Sequence, residues 1–463
     1  MPQRPIQWGI AANQGRSKEA NTGELINLFP EALPKDSLSS VALYGTPGLI
    51  SFVTLPTTPI LALFEMNEVL YAATETKFYS IQSNGSYAEL GTVVLSGYTS
   101  IAGNGSDIII VGNGKGYKYN TSGSFSELDI SDNWYPSNNV TYQDGRFIFS
   151  RTSTTQIFIS ELDAATFDAT EIVSTLGIPG NVVGVISDHR EVWVFKEKST
   201  EIRYNSGAAD FPFETMQGAY IEKGCIAVGS IAKADNTVFW LGHDYMVYRA
   251  DNYNPVRIST HAVEFDIKDG VVSDAIAYTY YDEGHLFYVL TFPTQNVTWC
   301  FDISTGLWHK RSHFSYGRHA SNCHTWCFSK NLVGDYTSGD IYQLDLDTYT
   351  DNGTALKRTA ISPPIHADRN LVTMNEFEVD MDTGVGNVTG DGSDPEVMFT
   401  YSDDGGQTWS NEIQMSVGLI GEYTDRVIFR KLGQFRQRAI KIEISDPVEI
   451  VMHGAYVDIE VND

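Results

Sequence analysis

The 463-residue chain has little of what most stabilising or catalytic schemes require. Its four cysteines, Cys225, Cys300, Cys323 and Cys327, are too few and too irregularly placed for a secreted disulfide framework. Charged residues make up only 19% of the chain and are one-sided, with 31 Lys plus Arg against 58 Asp plus Glu and a formal net charge of −27. Wrapping nucleic acid needs a positive contact face, so a polyanion-binding role for the whole surface is not expected. Long apolar runs are missing. The least polar stretch, Leu49 to Phe64, is broken by Pro56 and Pro59 and is shorter than the ~20 residues of a membrane span. The start, Met1-Pro-Gln-Arg-Pro-Ile-Gln-Trp, lacks the apolar centre of a signal peptide, so a soluble protein folded in a reducing cytoplasm is expected. The seven Asn-x-Ser/Thr triplets, Asn84-Gly-Ser among them, are accordingly read as hairpin turns and not as glycan sites.

Aromatic side chains are plentiful. Tyr, Phe and Trp number 25, 23 and 8, a 12% share that favours strands and excludes disorder. Apolar spacing of the helical kind is absent over any long stretch; short alternating strands recur instead, separated by turns bearing Asn, Asp or Gly. Examples are Val69-Leu-Tyr-Ala-Ala with Lys77-Phe-Tyr-Ser-Ile, and Glu191-Val-Trp-Val-Phe with Thr200-Glu-Ile-Arg-Tyr. With Leu63, Ser100, Val140, Val182, Val228, Ile276 and His319 as unit starts, the steps are 37, 40, 42, 46, 48 and 43 residues. Several strands per unit at a period of ~40–50 residues predict a β-propeller, in which each blade covers the next. Six or seven blades fit between about Leu63 and Gly353.

The flanks differ. Residues 1–60 carry proline-rich turns without repeats and predict an extended N-terminal arm and docking segment, leaving 61–357 for the propeller. From 358 to 463 the alternation is cleaner, as in Glu376-Phe-Glu-Val-Asp-Met and Ile440-Lys-Ile-Glu-Ile, and predicts a small antiparallel β-sandwich-like domain. The fold class is therefore all-β.

Catalytic chemistry is not legible. His309, His313, His319, Cys323, His324 and Cys327 raise the thought of zinc, but residues four apart on a strand lie ~13 Å apart, so no metal site and no cofactor is expected. Ser402-Asp-Asp-Gly-Gly-Gln-Thr-Trp409 resembles the Asp-box of sialidase-like propellers. Its logic is structural: Asp404 caps backbone N–H groups, Gly405 or Gly406 takes the positive φ, and Trp409 packs beneath. The predicted turn residues are thus Ser402, Asp404, Gly406 and Trp409. One such box, outside the repeat and without a converging arginine set, gives a glycoside-cleaving or carbohydrate-binding propeller second place. One electrostatic anomaly remains: between Thr424 and Glu443 six basic residues face two acids. Arg426, Arg430, Lys431, Arg436 and Arg438 are the candidate interface residues, the bland alternative being pairing with acids of the same chain.

The segments Asn27-Leu-Phe-Pro-Glu, Gly45-Thr-Pro-Gly-Leu, Trp299-Cys-Phe-Asp-Ile-Ser-Thr-Gly-Leu-Trp308, Gly339-Asp-Ile-Tyr-Gln-Leu-Asp, Pro364-Ile-His-Ala-Asp and Arg430-Lys-Leu-Gly-Gln-Phe-Arg-Gln-Arg, with Ser445-Asp-Pro-Val after them, occur in a telling order. Taken together the chain resembles the tail nozzle proteins of short-tailed bacteriophages, also called packaged-DNA stabilisation proteins or tail accessory factors. The similarity spans nearly the whole chain as a pattern of order and turns. It implies a non-enzymatic virion tail protein, assembled in the host cytoplasm as a ring, typically a hexamer. Such a ring hangs below the portal and adaptor, holds a plug or needle, and carries fibres or spikes outside. An acidic lumen would then let DNA pass without sticking, over a range of about 8–10 Å at physiological salt.

Overall fold

A computed structural model describes residues 3–6, 12, 14–37, 39–209 and 211–462. Short alternating segments pair with their sequence neighbours because a tight turn closes at little entropic cost and puts both apolar faces on one side. Among the described residues the result is seven four-stranded antiparallel units, here blades 1–7, six of them made wholly of consecutive strands. Their innermost strands are Ile60–Met66, Thr99–Gly103, Ser137–Gln143, Val182–Asp188, Ala232–Ala234, Ile276–Asp282 and Ser321–Cys327. The repeat starts chosen from sequence lie in these strands or a few residues before them.

The turn from the innermost to the second strand follows one rule in six blades. Asn67-Glu68, Asp144-Gly145, His189-Arg190, Asp235-Asn236, Glu283-Gly284 and Phe328-Ser329 all have both φ angles positive. A turn of that hand matches the strand twist, and its small strain is repaid by the strand pairing it permits. Adjacent blades are then stitched along the hub. Ser100 Oγ donates to Val140 O at 3.1 Å, Asn139 Oδ1 accepts from Val185 N at 2.6 Å, and Thr279 Oγ1 donates to Lys233 O at 2.7 Å. Tyr278 and Ser321 share a hydroxyl bond at 2.7 Å, and Asn322 Nδ2 donates to Ile60 O at 2.9 Å. That last bond joins blade 7 to blade 1 and closes the ring.

The aromatic excess fills the spaces between blades. Trp134 meets Phe149, Phe158 and Phe167 edge-on, while Phe195 packs on Trp240 and Phe239 stacks on Tyr288. Each such fully buried ring contributes roughly 1.5–3 kcal/mol by area alone, and edge-to-face geometry adds to that. A single α-helix is described, His261–Ile267, capped by Thr260 and packed through Val263 and Ile267 on the core containing Trp299 and Trp308.

The C-terminal unit is a two-sheet sandwich. One sheet orders Leu28–Ala32, Val41–Gly45, Val451–Asn462, Leu371–Met381 and Val427–Arg430; the other contains Arg358–Ile361, Gln437–Ile444, Glu396–Ser402 and Ile413–Ser416. The alternation read from sequence is the inward set: Phe377, Val379, Val397, Phe399, Ile440, Ile442, Ala455 and Val457 are at most 3% exposed. Phe399 stacks on Phe429 at 4.5 Å in the middle of this core.

Among residues 1–60, expected as an arm, the described strands are instead woven into both units. Glu24–Ile26 lies parallel to the outermost strand of blade 6, Leu307–Arg311, and antiparallel to Arg358–Ile361, so blade 6 and one sandwich sheet form a single ten-stranded sheet. Gly48–Thr54 is the fourth strand of blade 7, paired antiparallel with Asp340–Asp345. Blade 7 therefore draws its strands from both ends of the repeat region. The far edge of that strand is met in turn by Thr350–Asp351, which pairs parallel to it at Leu49.

Candidate functional site

The Ser402–Trp409 turn is built as its sequence implies. Asp404 Oδ1 accepts from Gln407 N and Thr408 N, both at 2.9 Å, and Oδ2 accepts from Thr408 Oγ1 at 2.6 Å. Ser402 Oγ accepts from Gly406 N at 2.8 Å. These donors hold the Asp404 carboxyl well below its usual range, the hydroxyl bonds from Ser402 and Thr408 being the largest causes. Gly405 and Gly406 have φ of 74° and 81°, which only a residue without Cβ adopts freely. Trp409 lies beside Gly406, with the Lys441 ammonium 5.0 Å from its ring centroid. Behind the turn passes the N-terminal segment: Gly405 packs on Glu19, and Gln437 Nε2 donates to Glu19 O at 2.7 Å. The turn thus anchors chain and presents no reactive group.

The basic run divides into two kinds of residue. Arg426 grips Glu378 with two bonds of 2.6 Å, and Arg430 Nε donates to Glu376 at 2.8 Å, although both arginines remain about 60% exposed. Lys441 and Lys357 share Glu443 at 2.9 and 2.6 Å. Lys431 is exposed at φ 61° and makes no ion pair with a described residue, while Arg436 donates to Arg369 O at 2.8 Å. Arg438 is different. Its side chain is 1% exposed, sandwiched between Tyr401 and Phe435 at 3.9 and 4.3 Å, bidentate to Asp403, and bonded to Leu432 O at 2.5 Å. As a candidate contact residue Arg438 is therefore corrected to an internal brace: its strand position turns it under the 431–436 loop, which sequence spacing does not reveal. Arg426, Arg430, Lys431 and Arg436 stay on the surface.

The histidines and cysteines that looked clustered in sequence are dispersed over blades 6 and 7 and the loop between. His309 is buried beside Phe29 and Phe287, and burial drives its pKa far down. His319 bonds Ser321 and His324 bonds Asn331; burial pulls them to about 3 and about 4. Burial likewise pushes Cys323 to about 12 and Cys327 to about 11, leaving both as unreactive thiols. Among the described residues no group of His, Cys, Asp and Glu is arranged to hold a metal ion.

Two surfaces went unnoticed in sequence. Where blades 6 and 7 meet the sandwich, a cleft of about 350 Å³ is walled by Phe29, Tyr44, Phe287 and Tyr349 and rimmed by Glu31, Asp282, Glu283, Asp347 and Glu449. These acids lie far apart in the chain, so only the fold sums their charge, and the potential they create suits a basic partner segment. Separately, loops at one end of the sandwich leave Val388, Leu419, Ile420 and Tyr423 between 47% and 79% exposed. Large apolar side chains held outward in ordered loops are characteristic of contact surfaces. The only available signal was their place within glycine-rich turns.

A seven-bladed propeller fused through a shared sheet to a β-sandwich, carrying broad charged and apolar surfaces, defines a propeller–sandwich protein. Its two parts match two family models, described as "Bacteriophage P22 Gp10, beta-propeller" over residues 3–349 and "Bacteriophage P22 Gp10, beta-sandwich" over residues 357–460. The chain belongs to the bacteriophage P22 Gp10 family, and so to the structural proteins of the phage tail and the virion. The gap between the two matches falls where the chain leaves blade 7 and enters the sandwich at Arg358.

No curated relative matches the chain in sequence. Among solved structures it is similar to virginiamycin B lyase from Staphylococcus aureus, at 10% identity and a TM-score of 0.47, over 64% of this chain and 98% of that one. PorZ, a surface component of the type-IX secretion system of Porphyromonas gingivalis, gives 13% and 0.41 over 80% and 46%. YCF48 from Cyanidioschyzon merolae gives 9% and 0.42 over 64% and 99%. Among the described residues no helix is long and apolar enough to cross a membrane.

Proposed function

We propose that this chain is the ring-forming subunit of a tail nozzle that conducts and retains packaged DNA, without making or breaking a bond. The observation that carries the reading is the family match over both parts of the chain. The acidity supports it: a net charge of −27 in a protein that handles DNA suits a conduit that repels phosphates and not a surface that grips them. In this reading the chain assembles as a homo-oligomer, a hexamer in the simplest case. It docks a portal adaptor at one end, holds a needle or plug at the other, and carries fibres or spikes outside. Exposed Arg426, Arg430, Lys431 and Arg436, the apolar sandwich loops and the acid-rimmed cleft supply contacts of three different chemistries.

The test is electron microscopy of the purified chain, alone and mixed with the adaptor protein of the same phage. The expected image is a closed ring with a net-negative bore. A chain that stays monomeric under both conditions, or a ring with a basic bore, refutes the proposal.

A further inference from the structure

The exposed part of the basic run forms one edge of the sandwich. Val427–Arg430 pairs with Leu371–Met381, and the chain stays on that side of it: Lys431 N and Leu432 N donate to Asn375 O and Met374 O, and Gln434–Phe435 pairs with Thr373 and Val372. No described strand pairs with the outer side of this strip. Arg426 and Arg430 remain about 60% exposed beside Glu378 and Glu376, while Lys431 and Arg436 are exposed and form no ion pair with a described residue. Arginines flanking a bare strand edge deter indiscriminate pairing yet leave the edge open to a partner of opposite charge.

The acid-rimmed cleft lies at the other edge of the same sheet. Its residues Phe29, Glu31, Tyr44 and Gly45 come from Leu28–Ala32 and Val41–Gly45, the two strands farthest from Val427–Arg430 in the sheet order. Four strand spacings separate the outermost strands, about 19 Å in all. Salt screens charge over about 8–10 Å, so the two patches do not neutralise each other within one chain. Nor is the cleft neutralised locally. Glu31 meets His285 at 3.4 Å, but that ring is also bonded to Asp302 at 2.9 Å, and Asp282, Glu283, Asp347 and Glu449 form no ion pair with a described residue. The cations behind its aromatic wall, Arg311 over Phe287 and Arg358 over Tyr349, are each 1% exposed.

Opposite charges on opposite edges of one rigid sheet satisfy each other only between copies, head to tail, and a contact of that kind closes into a ring when its rotation allows. We infer, on the ring reading given above, that the edge carrying Arg426, Arg430, Lys431 and Arg436 of one copy docks on the acid-rimmed cleft of the next. Lys431 and Arg436 supply the unpaired positive charge, and Glu283, Asp347 and Glu449, all exposed, receive it at the rim. Each copy thereby uses both surfaces once, and no further protein is needed to cover either.

Charge exchange between two variants of the full chain tests this by sedimentation velocity, with the adaptor protein of the same phage present if the chain alone does not assemble. One variant carries Lys431→Glu and Arg436→Glu, the other Glu283→Lys and Asp347→Lys; Glu449→Lys replaces Glu283→Lys if the latter disturbs folding by circular dichroism. Each variant alone should associate at least about tenfold more weakly than the unaltered chain, because its like charges now face each other. An equimolar mixture should assemble again, since in an alternating ring every contact pairs opposite charges. Assembly of either variant alone at the unaltered level overturns the head-to-tail pairing and leaves the nozzle reading standing. Loss of assembly in both variants without recovery in the mixture also overturns it, and assigns the two surfaces to other partners, such as a basic segment of the adaptor or plug. An unaltered chain that stays monomeric with and without the adaptor overturns the nozzle reading itself, and this pairing with it.

Discussion

Arg438 offers the sharpest test of how the sandwich is held together. The perturbation is Arg438→Met, which keeps most of the apolar stem and removes the guanidinium. Three contributions are lost. The bond to the Leu432 carbonyl has a charged donor and contributes about 1.5–3 kcal/mol, since that carbonyl is left buried and unsatisfied. The two ring faces, Tyr401 and Phe435, add about 0.5–1 kcal/mol each. Asp403 is 42% exposed and is rehydrated once released, so the ion pair itself is discounted to less than about 1 kcal/mol. Met recovers part of the packing, which leaves a net destabilisation of about 3 kcal/mol. Arg430→Met serves as the comparison: its partner pair is exposed, and the cost should stay below about 1 kcal/mol. Trp409 is the one tryptophan beyond residue 326, so 5-fluorotryptophan labelling lets fluorine NMR follow the sandwich alone through a urea titration. At the usual urea sensitivity of a domain of this size, Arg438→Met should lower the midpoint by about 1.5–2 M. If both variants shift the midpoint equally, the brace assigned to Arg438 is wrong.

Three other expectations follow from particular contacts. Ala in place of Gly48 would put a Cβ 2.3 Å from Thr348 O and 2.4 Å from Thr350 O, so Gly48→Ala should cost about 1–3 kcal/mol and raise hydrogen exchange across 48–54 and 340–345; unchanged protection there would count against closure of blade 7 by this strand. Asp282 is raised from 3.8 to about 6, by burial first and then by Glu283. Between those values the folded chain binds a proton that the unfolded chain does not, so stability should fall as pH rises from about 4 to about 6, and Asp282→Asn should flatten that slope in denaturant titrations. Lys431→Glu with Arg436→Glu reverses two exposed charges without touching the core and should weaken ring assembly or adaptor docking in sedimentation velocity; unaltered sedimentation would remove these residues from the interface.

Legibility followed the range of the interaction. The turn at Ser402–Trp409 could be read residue by residue because its donors and acceptors all lie within seven positions of one another. The blades could be counted to within one because six are built wholly from consecutive strands and the seventh from three, and four of the positive-φ turns carry the Asn, Asp or Gly that favours that conformation. The basic run could be seen but not sorted. Arg438 and Arg436 are two residues apart on the same strand side in sequence terms, yet one ends under a loop between two rings and the other in water.

The sequence by itself thus determined the all-β class, the repeating blade, the sandwich with its inward residues, and the local capping turn. These depend on periodicity and on contacts between near neighbours, which composition and spacing encode directly. Only the tertiary structure decided where Glu24–Ile26 and Gly48–Thr54 dock, which converts an apparent arm into the seam between two units. It alone placed Glu31, Asp282 and Glu449 on one cleft. The reason is physical: pairing a strand with a partner nearly 300 residues away, or summing charges from distant loops, is fixed by the closure of the ring and not by any local preference of the chain.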